Sequence, residues 1–169
     1  MLITFMGGKQ PGVIGLLSVL ACGHQIEYCV AYDFIIYNLA ESLRIPILDS
    51  IKDLKNKPVN SDLLISVHGR EIVPDDVLAR FPLGGLNAHP GFKKYKGKDP
   101  IARALKSREK TIDIGFHKMT NKVDEGYLYA EQVVDISDLS TELEVRNRLY
   151  PHYAYGLIHA LEVVDAAVR

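Results

Sequence analysis

The chain predicts a doubly wound α/β domain, a mostly parallel sheet with helices packed on it and an antiparallel pair of strands at one edge. Three observations carry this. Strand-like and helix-like segments alternate through residues 1–90, the pattern of a parallel sheet built from crossover units. The run Leu63-Leu64-Ile65-Ser66-Val67 is almost continuously apolar, as in a strand buried on both faces. Beyond residue 110 the pattern changes to two long strand-like runs joined by a polar loop.

Residues 2–6 form a short apolar run ending in Gly7-Gly8 and predict a buried first strand. Residues 13–21 predict a helix, with Pro11 suited to its first turn and Gly23 to its C-terminal cap. Residues 26–32 give a second strand, 34–43 a second helix and 45–48 a short third strand. Residues 62–68 form the central strand. Residues 74–81 predict a helix whose first turn carries Asp75 and Asp76, where the helix dipole favours them. Residues 83–89 form the next strand and 99–107 the next helix. In residues 111–119, Ile112, Ile114 and Phe116 alternate with Asp113, Gly115 and His117. Residues 128–136 give the returning strand, after a loop holding Asn121 and Gly126. Ser140 or Asp138 is placed to cap a last helix running toward residue 168. Pro151 is expected to kink or break it, because proline removes a backbone donor. Leu143, Leu149, Leu157, Leu161 and Val164 should form its apolar side, covering a sheet face or meeting a second copy in a homodimer.

With 169 residues, 47% hydrophobic and 24% charged, the composition is that of a soluble globular domain, and one domain over residues 1–169 is expected. Twenty Lys and Arg against 21 Asp and Glu give a net charge of −1, which excludes a strongly basic nucleic-acid binder and a polyacidic tail. Cys22 and Cys29 are too few for a disulfide framework. A reduced, cytoplasmic setting is expected, with no nucleic-acid partner. The N-terminus has no basic segment followed by an apolar core, so no signal peptide is expected. The apolar stretch at residues 13–22 is far short of the ~20 residues of a membrane span. The scattered histidines offer no metal-ligand cluster.

In a doubly wound sheet, chemistry belongs at the carboxyl ends of the strands. The first turn, Gly7-Gly8-Lys9-Gln10-Pro11-Gly12, fails the dinucleotide pattern because Lys9 replaces a glycine. It fails the P-loop pattern because Val13 and Ile14 replace Lys and Ser/Thr. A tight strand-to-helix turn accounts for it, and a glycine-rich turn before a helix can also offer backbone N–H groups to an anion. In Leu86-Asn87-Ala88-His89-Pro90 the alternation of a strand puts Asn87 and His89 on one face. An amide there suits a developing oxyanion, and an imidazole suits proton movement near neutral pH. The loop Asn121-Lys122-Val123-Asp124-Glu125-Gly126 has a plain account as a polar hairpin loop. It also offers a carboxylate to orient His89. His117 lies on the polar face of the strand leading into it.

Taken together these stretches resemble the folate-dependent formyltransferases, the family of glycinamide ribonucleotide, methionyl-tRNA and nucleotide-sugar formyltransferases. The resemblance covers about residues 61–136. Residues 62–74 look like the family's strand and folate-lining loop, and Leu86-Asn87-Ala88-His89-Pro90 like the segment with the catalytic Asn and His. Lys94-Tyr95-Lys96-Gly97 resembles its basic-Tyr-basic-Gly stretch. Gly115-Phe116-His117 followed by Val123-Asp124-Glu125-Gly126 resembles the strand and the loop with the catalytic Asp. The resemblance implies a three-layer, Rossmann-like formyltransferase fold and transfer of a formyl group from 10-formyltetrahydrofolate to a primary amine, on an amino sugar or another small metabolite. It implies that Asn87 donates to the oxyanion, that His89 assists stabilisation or proton transfer, and that Asp124 holds the imidazole and relays a proton through water. The folate pterin would lie against Arg70, Glu71, Ile72 and Val73 and against Thr120, Asn121, Lys122 and Val123, with no metal and no membrane partner. A formyltetrahydrofolate hydrolase and a non-catalytic folate- or nucleotide-binding module are the alternatives. The chain departs from the family after His89, where Gly91-Phe92-Lys93-Lys94 is one residue shorter than usual and lacks the Ser and the second Pro. It departs again at Gly115, where a Thr is usual.

Overall fold

The structure, a computed structural model, describes residues 1–168. One seven-stranded sheet runs in the order β3-β2-β1-β4-β5-β6-β7. Its strands are β1 (Leu2–Gly7), β2 (Gln25–Ala31), β3 (Ile47–Leu48), β4 (Leu63–Val67), β5 (Gly85–Pro90), β6 (Thr111–Lys118) and β7 (Leu128–Asp135). Neighbours from β3 to β5 are parallel, and β6 and β7 add antiparallel. The helices are α1 (Lys9–Ala21), α2 (Phe34–Ser42), α3 (Asp75–Leu78), α4 (Pro100–Lys106) and α5 (Glu142–Val168).

Strand alternation divides the core. Ile3 and Phe5 of β1 and Leu63, Ile65 and Val67 of β4 point to one face and pack with α1, α2, α4 and α5. Met6 and Leu64 point to the other face, where Ile51, Leu54, Val77 and Phe81 cover them. That second layer contains a 3-10 segment, Ile51–Asn56, which the periodicity does not announce. A capping box closes its start, with Ser50 and Asp53 exchanging side-chain and backbone bonds.

Several expected boundaries shift for local reasons. Helix α1 starts at Lys9, directly after Gly8, so Pro11 sits inside its first turn. Strand β3 holds only Ile47 and Leu48, because Pro46 has no N–H for a ladder. Helix α3 is a single turn. Helix α5 is capped by neither Ser140 nor Asp138. Thr141 Oγ1 accepts from the Glu144 N–H, and Glu144 Oε2 accepts from the Thr141 N–H, a reciprocal capping box. Pro151 does not end α5, which continues to Val168 with Pro151 exposed and Leu149 and Tyr153 buried on either side. Tertiary packing on both sides of the proline outweighs one missing backbone bond. Leu143 is 66% exposed rather than part of the apolar side. The buried stripe is Val145, Leu149, Tyr153, Leu157, Leu161 and Val164, which covers the sheet.

Candidate active site

Strand β1 is the branch point of the sheet, with β2 on one side and β4 on the other, so a crevice opens at the carboxyl ends of β1, β4 and β5. A cavity of about 820 Å³ fills it. Lys9, Gln10 and Pro11 line it after β1, residues 68–73 after β4, and Asn87, His89 and Pro90 at the end of β5. Among the described residues, six non-glycine positions have φ in the left-handed region, and four of them, Lys9, His68, Asp99 and Asp124, line this cavity. Such conformations persist only where the surroundings enforce them.

The floor is built by antiparallel register. Asn87 pairs with His117 and His89 with Gly115 across β5 and β6, which puts all four on one sheet face. Asp124 arrives from the following loop, whose return is set by Gly126. A Cβ on Gly126 would lie 1.6 Å from the Lys118 carbonyl oxygen, so only glycine closes this turn.

Asp124 is 5% exposed and joins the other three groups. Its Oδ2 lies 3.3 Å from His89 Nε2 and accepts from the Gly97 N–H at 3.0 Å. Its Oδ1 lies 3.4 Å from His117 Nε2 and 3.5 Å from Asn87 Nδ2. Burial works to raise its pKa, but the bonds from His117 and the Gly97 N–H and the nearby His89 outweigh it and hold the carboxyl below the ordinary value of 3.8.

Hydrogen-bond partners assign the ring protons. His89 Nε2 faces two acceptors, Asp124 Oδ2 and the Tyr95 carbonyl at 3.1 Å. Nε2 therefore carries the proton, and Nδ1 is left with the lone pair. His117 Nδ1 donates to the Lys118 carbonyl at 3.0 Å. Its Nε2 accepts from Asn87 Nδ2 at 3.3 Å when neutral and donates to Asp124 when protonated. Both contacts of the Asn87 amide are long, so an incoming anion competes well for its N–H groups. The set can polarise a carbonyl oxygen, accept a proton and pass it between carboxylate and imidazole.

The cavity lining also carries cationic side chains. Lys9, Arg70 and Arg146 line the cavity along with His68, Tyr150 and Tyr153. Burial first, then Lys9, Arg146 and Arg70, lowers the His68 pKa against the opposing pull of Asp33, so its imidazole is held neutral. Part of the cationic charge is paired, Arg70 with Asp33 at 3.9 Å and Arg146 with Glu142 at 2.7 Å.

The structure brings Asn87, His89 and Asp124 together, as their spacing suggests. Arg70, Ile72, Val73, Thr120, Lys122 and Val123 line the cavity, with Ile72 79% and Val123 54% exposed at its mouth. Two further expected residues are placed as follows. Asn121 is exposed and does not line the cavity, because Thr120 Oγ1 bonds with the Lys122 backbone and closes the loop tip. The Glu71 carboxylate accepts from Ser50 Oγ at 2.5 Å, Tyr32 Oη at 2.8 Å and the Ile51 N–H at 3.2 Å. This carboxylate ties the loop to the 3-10 segment, while the residue still lines the cavity. Sequence reasoning undervalued His117, whose place on the polar face of its strand was the available signal. It missed the backbone of Tyr95 and Gly97, which no side-chain pattern encodes. Among the described residues, no group of His, Cys, Asp and Glu is arranged to hold a metal ion, and no helix is long and apolar enough to cross a membrane.

Comparison with known proteins follows this geometry. The family model described as formyl transferase matches residues 49–161. The methionyl-tRNA formyltransferase of Buchnera aphidicola subsp. Baizongia pistaciae is 30% identical over 131 residues, 73% of this chain and 41% of that protein. The chain thus spans about two fifths of the length of the curated relatives it matches. The crystal structure of phosphoribosylglycinamide formyltransferase from Anaplasma phagocytophilum superposes with a TM-score of 0.81 at 16% identity, covering 98% of this chain and 87% of that one. A formyltetrahydrofolate deformylase from Pseudomonas syringae pv. tomato also gives 0.81, at 14% identity over 97% of this chain and 61% of that one. At these identities the two structures share the fold.

Proposed function

The chain belongs to the formyl transferase family, and from that premise we propose that it transfers the formyl group of 10-formyltetrahydrofolate to a primary amine, with Asn87, His89 and Asp124 as its catalytic residues. The convergence of these three side chains at the floor of one cavity carries the reading. The neutral amine attacks the formyl carbon, a C–N bond forms, and the carbonyl electron pair moves onto oxygen. Asn87 Nδ2 donates to that oxyanion, strengthening its long contacts as charge develops. The C–N bond to the folate then breaks as its nitrogen takes a proton. Asp124, joined to both imidazoles, accepts the amine's proton through water and returns it to that nitrogen, and His89 stabilises the charge. The pterin is assigned to the walls formed by Arg70, Ile72, Val73, Thr120, Lys122 and Val123, which line the cavity.

For the acceptor we favour an amino sugar or another small metabolite bearing an anionic group. Lys9, Arg70 and Arg146 in the cavity lining support this, with Tyr150 and Tyr153 also lining it. The test is incubation with 10-formyltetrahydrofolate and a panel of amino-sugar nucleotides, amino acids and methionyl-tRNA, read by mass spectrometry of the formylated product. Formylation of a small amine supports the reading. Formylation of methionyl-tRNA alone overturns the acceptor assignment. Formate release indifferent to every amine indicates the hydrolase. Failure to bind a formyl-folate analogue at ~1 mM overturns the whole assignment.

A further inference from the structure

The segment after His89 and the glycine at 115, the two places where the chain departs from the family pattern, meet in the structure. A Cβ built on Gly115 would lie 2.4 Å from Phe92 Cγ and 2.5 Å from Phe92 Cβ. Any side chain at 115 therefore occupies the space the Phe92 side chain now fills. The same ring packs on His117, with centroids 4.7 Å apart and planes tilted by 32°. Gly115 and His117 are two apart on β6 and share its face, so one aromatic ring covers both. The position is pinned on each side. The Gly91 N–H donates to the Asp113 carbonyl at 2.6 Å, and the Lys93 N–H donates to Asp113 Oδ2 at 3.1 Å.

A second, shallow recess of about 460 Å³ is lined by Phe92, Lys93, Lys96, Asp124 and Glu125. Asp124 therefore borders the main cavity and this recess together. Phe92 lines the recess and packs on the buried His117, which is 2% exposed.

We propose that Phe92 is a positioning and water-excluding residue: seated on Gly115 and stacked on His117, it covers the His117 ring and keeps water from that side of the imidazole. Its value to the reaction rests on the formyl-transfer reading above. Water that reaches the formyl carbon forms an O–C bond, the C–N bond to folate breaks, the folate nitrogen takes the proton, and the products are formate and tetrahydrofolate. A covered imidazole disfavours that loss against transfer to an amine. The shortened segment and Gly115 act as one device, because the ring needs the missing side chain at 115.

The test uses the full chain and two readouts, hydrogen exchange of the His117 Nδ1–H by NMR and formate release from 10-formyltetrahydrofolate without added amine. Phe92→Ala should speed the ring N–H exchange by about tenfold or more, since exchange reports local opening, and should raise formate release. Phe92→Leu, which restores an apolar cover, should return both toward wild type. Gly115→Thr should act like Phe92→Ala by displacing the ring, and Phe92→Ala/Gly115→Thr should add little to either single change. Unchanged exchange in Phe92→Ala overturns the proposal, as does independent addition of the two effects. If Gly115→Thr fails to fold, the comparison of Ala with Leu at 92 still decides. If the wild type neither binds formyl-folate nor releases formate, the functional reading fails while the exchange data still judge the cover.

Discussion

Replacing Asp124 by Asn preserves size and removes the one negative charge shared by the two imidazoles. The carboxylate lies 3.3 Å from His89 Nε2 and 3.4 Å from His117 Nε2. At an effective dielectric constant of about 20, unit charges at such a separation attract by about 5 kcal/mol. Part of that is present before reaction, and only the part that grows as an imidazolium develops accelerates the step. A loss of ~10²–10³ in turnover, about 3–4 kcal/mol, lies within that ceiling. The amide oxygen can still accept from the Gly97 N–H, so the loop and folate affinity should change little. Sensitivity to acid changes as well. Asp124 has a folded pKa below 3.8, so it adds stability above that value and loses it as pH falls through the depressed pKa. Asp124→Asn should lack this acid-side contribution. The assay is single-turnover formyl transfer with the identified amine, beside calorimetric binding of a formyl-folate analogue. Wild-type turnover in Asp124→Asn would refute the role and turn attention to His117, because Glu125 is drawn outward to Lys96 at 3.5 Å.

Five further outcomes are expected. His89→Ala should lower turnover by a factor like that of Asp124→Asn, with the double variant little worse, and Asn87→Ala should cost ~3–4 kcal/mol of barrier by removing an oxyanion donor, both read from pre-steady-state rates. Gly126→Ala should fail to fold or lose activity entirely, since its Cβ would overlap the Lys118 carbonyl oxygen; soluble, active Gly126→Ala protein would contradict the loop geometry. Thr141→Ala should cost about 1 kcal/mol in denaturant unfolding through loss of the α5 cap. Burial acts to raise the Glu71 pKa, but bonds from Ser50, Tyr32 and the Ile51 N–H prevail and hold it below 4.5. Its stabilisation is therefore complete above that value and fades as pH falls through the folded pKa, and Glu71→Gln should flatten the acid limb of a melting-temperature profile.

The order of elements and the identity of the central strands were legible in the sequence because each depends on local period. Leu63 to Val67 read as a buried strand and is one. The alternation in residues 111–119 gave β6 and even the face on which His117 lies. Asn87 and His89 were legible as a pair because two strand residues of the same parity must share a face. Capping at Thr141-x-x-Glu144 was equally local, and Ser140 drew attention away from a signature that was present.

Other features depended on distances no window of sequence contains. Only the register of β5 against β6 sets Asn87 opposite His117. Only the course of the loops decides that Glu71 spends its carboxylate on Ser50 and Tyr32 while Asn121 turns outward. Pro151 stays inside α5 because packing on both sides holds the helix, a contribution that propensity cannot count. Gly115 and Phe92 are 23 positions apart by number and each is unremarked alone, yet the ring needs the space that the glycine leaves. Period and residue type, set by neighbours along the chain, determined the fold class and named the catalytic candidates. Steric exclusion and hydrogen-bond competition between distant segments decided which side chains meet Asp124, because those terms exist only once the sheet has closed.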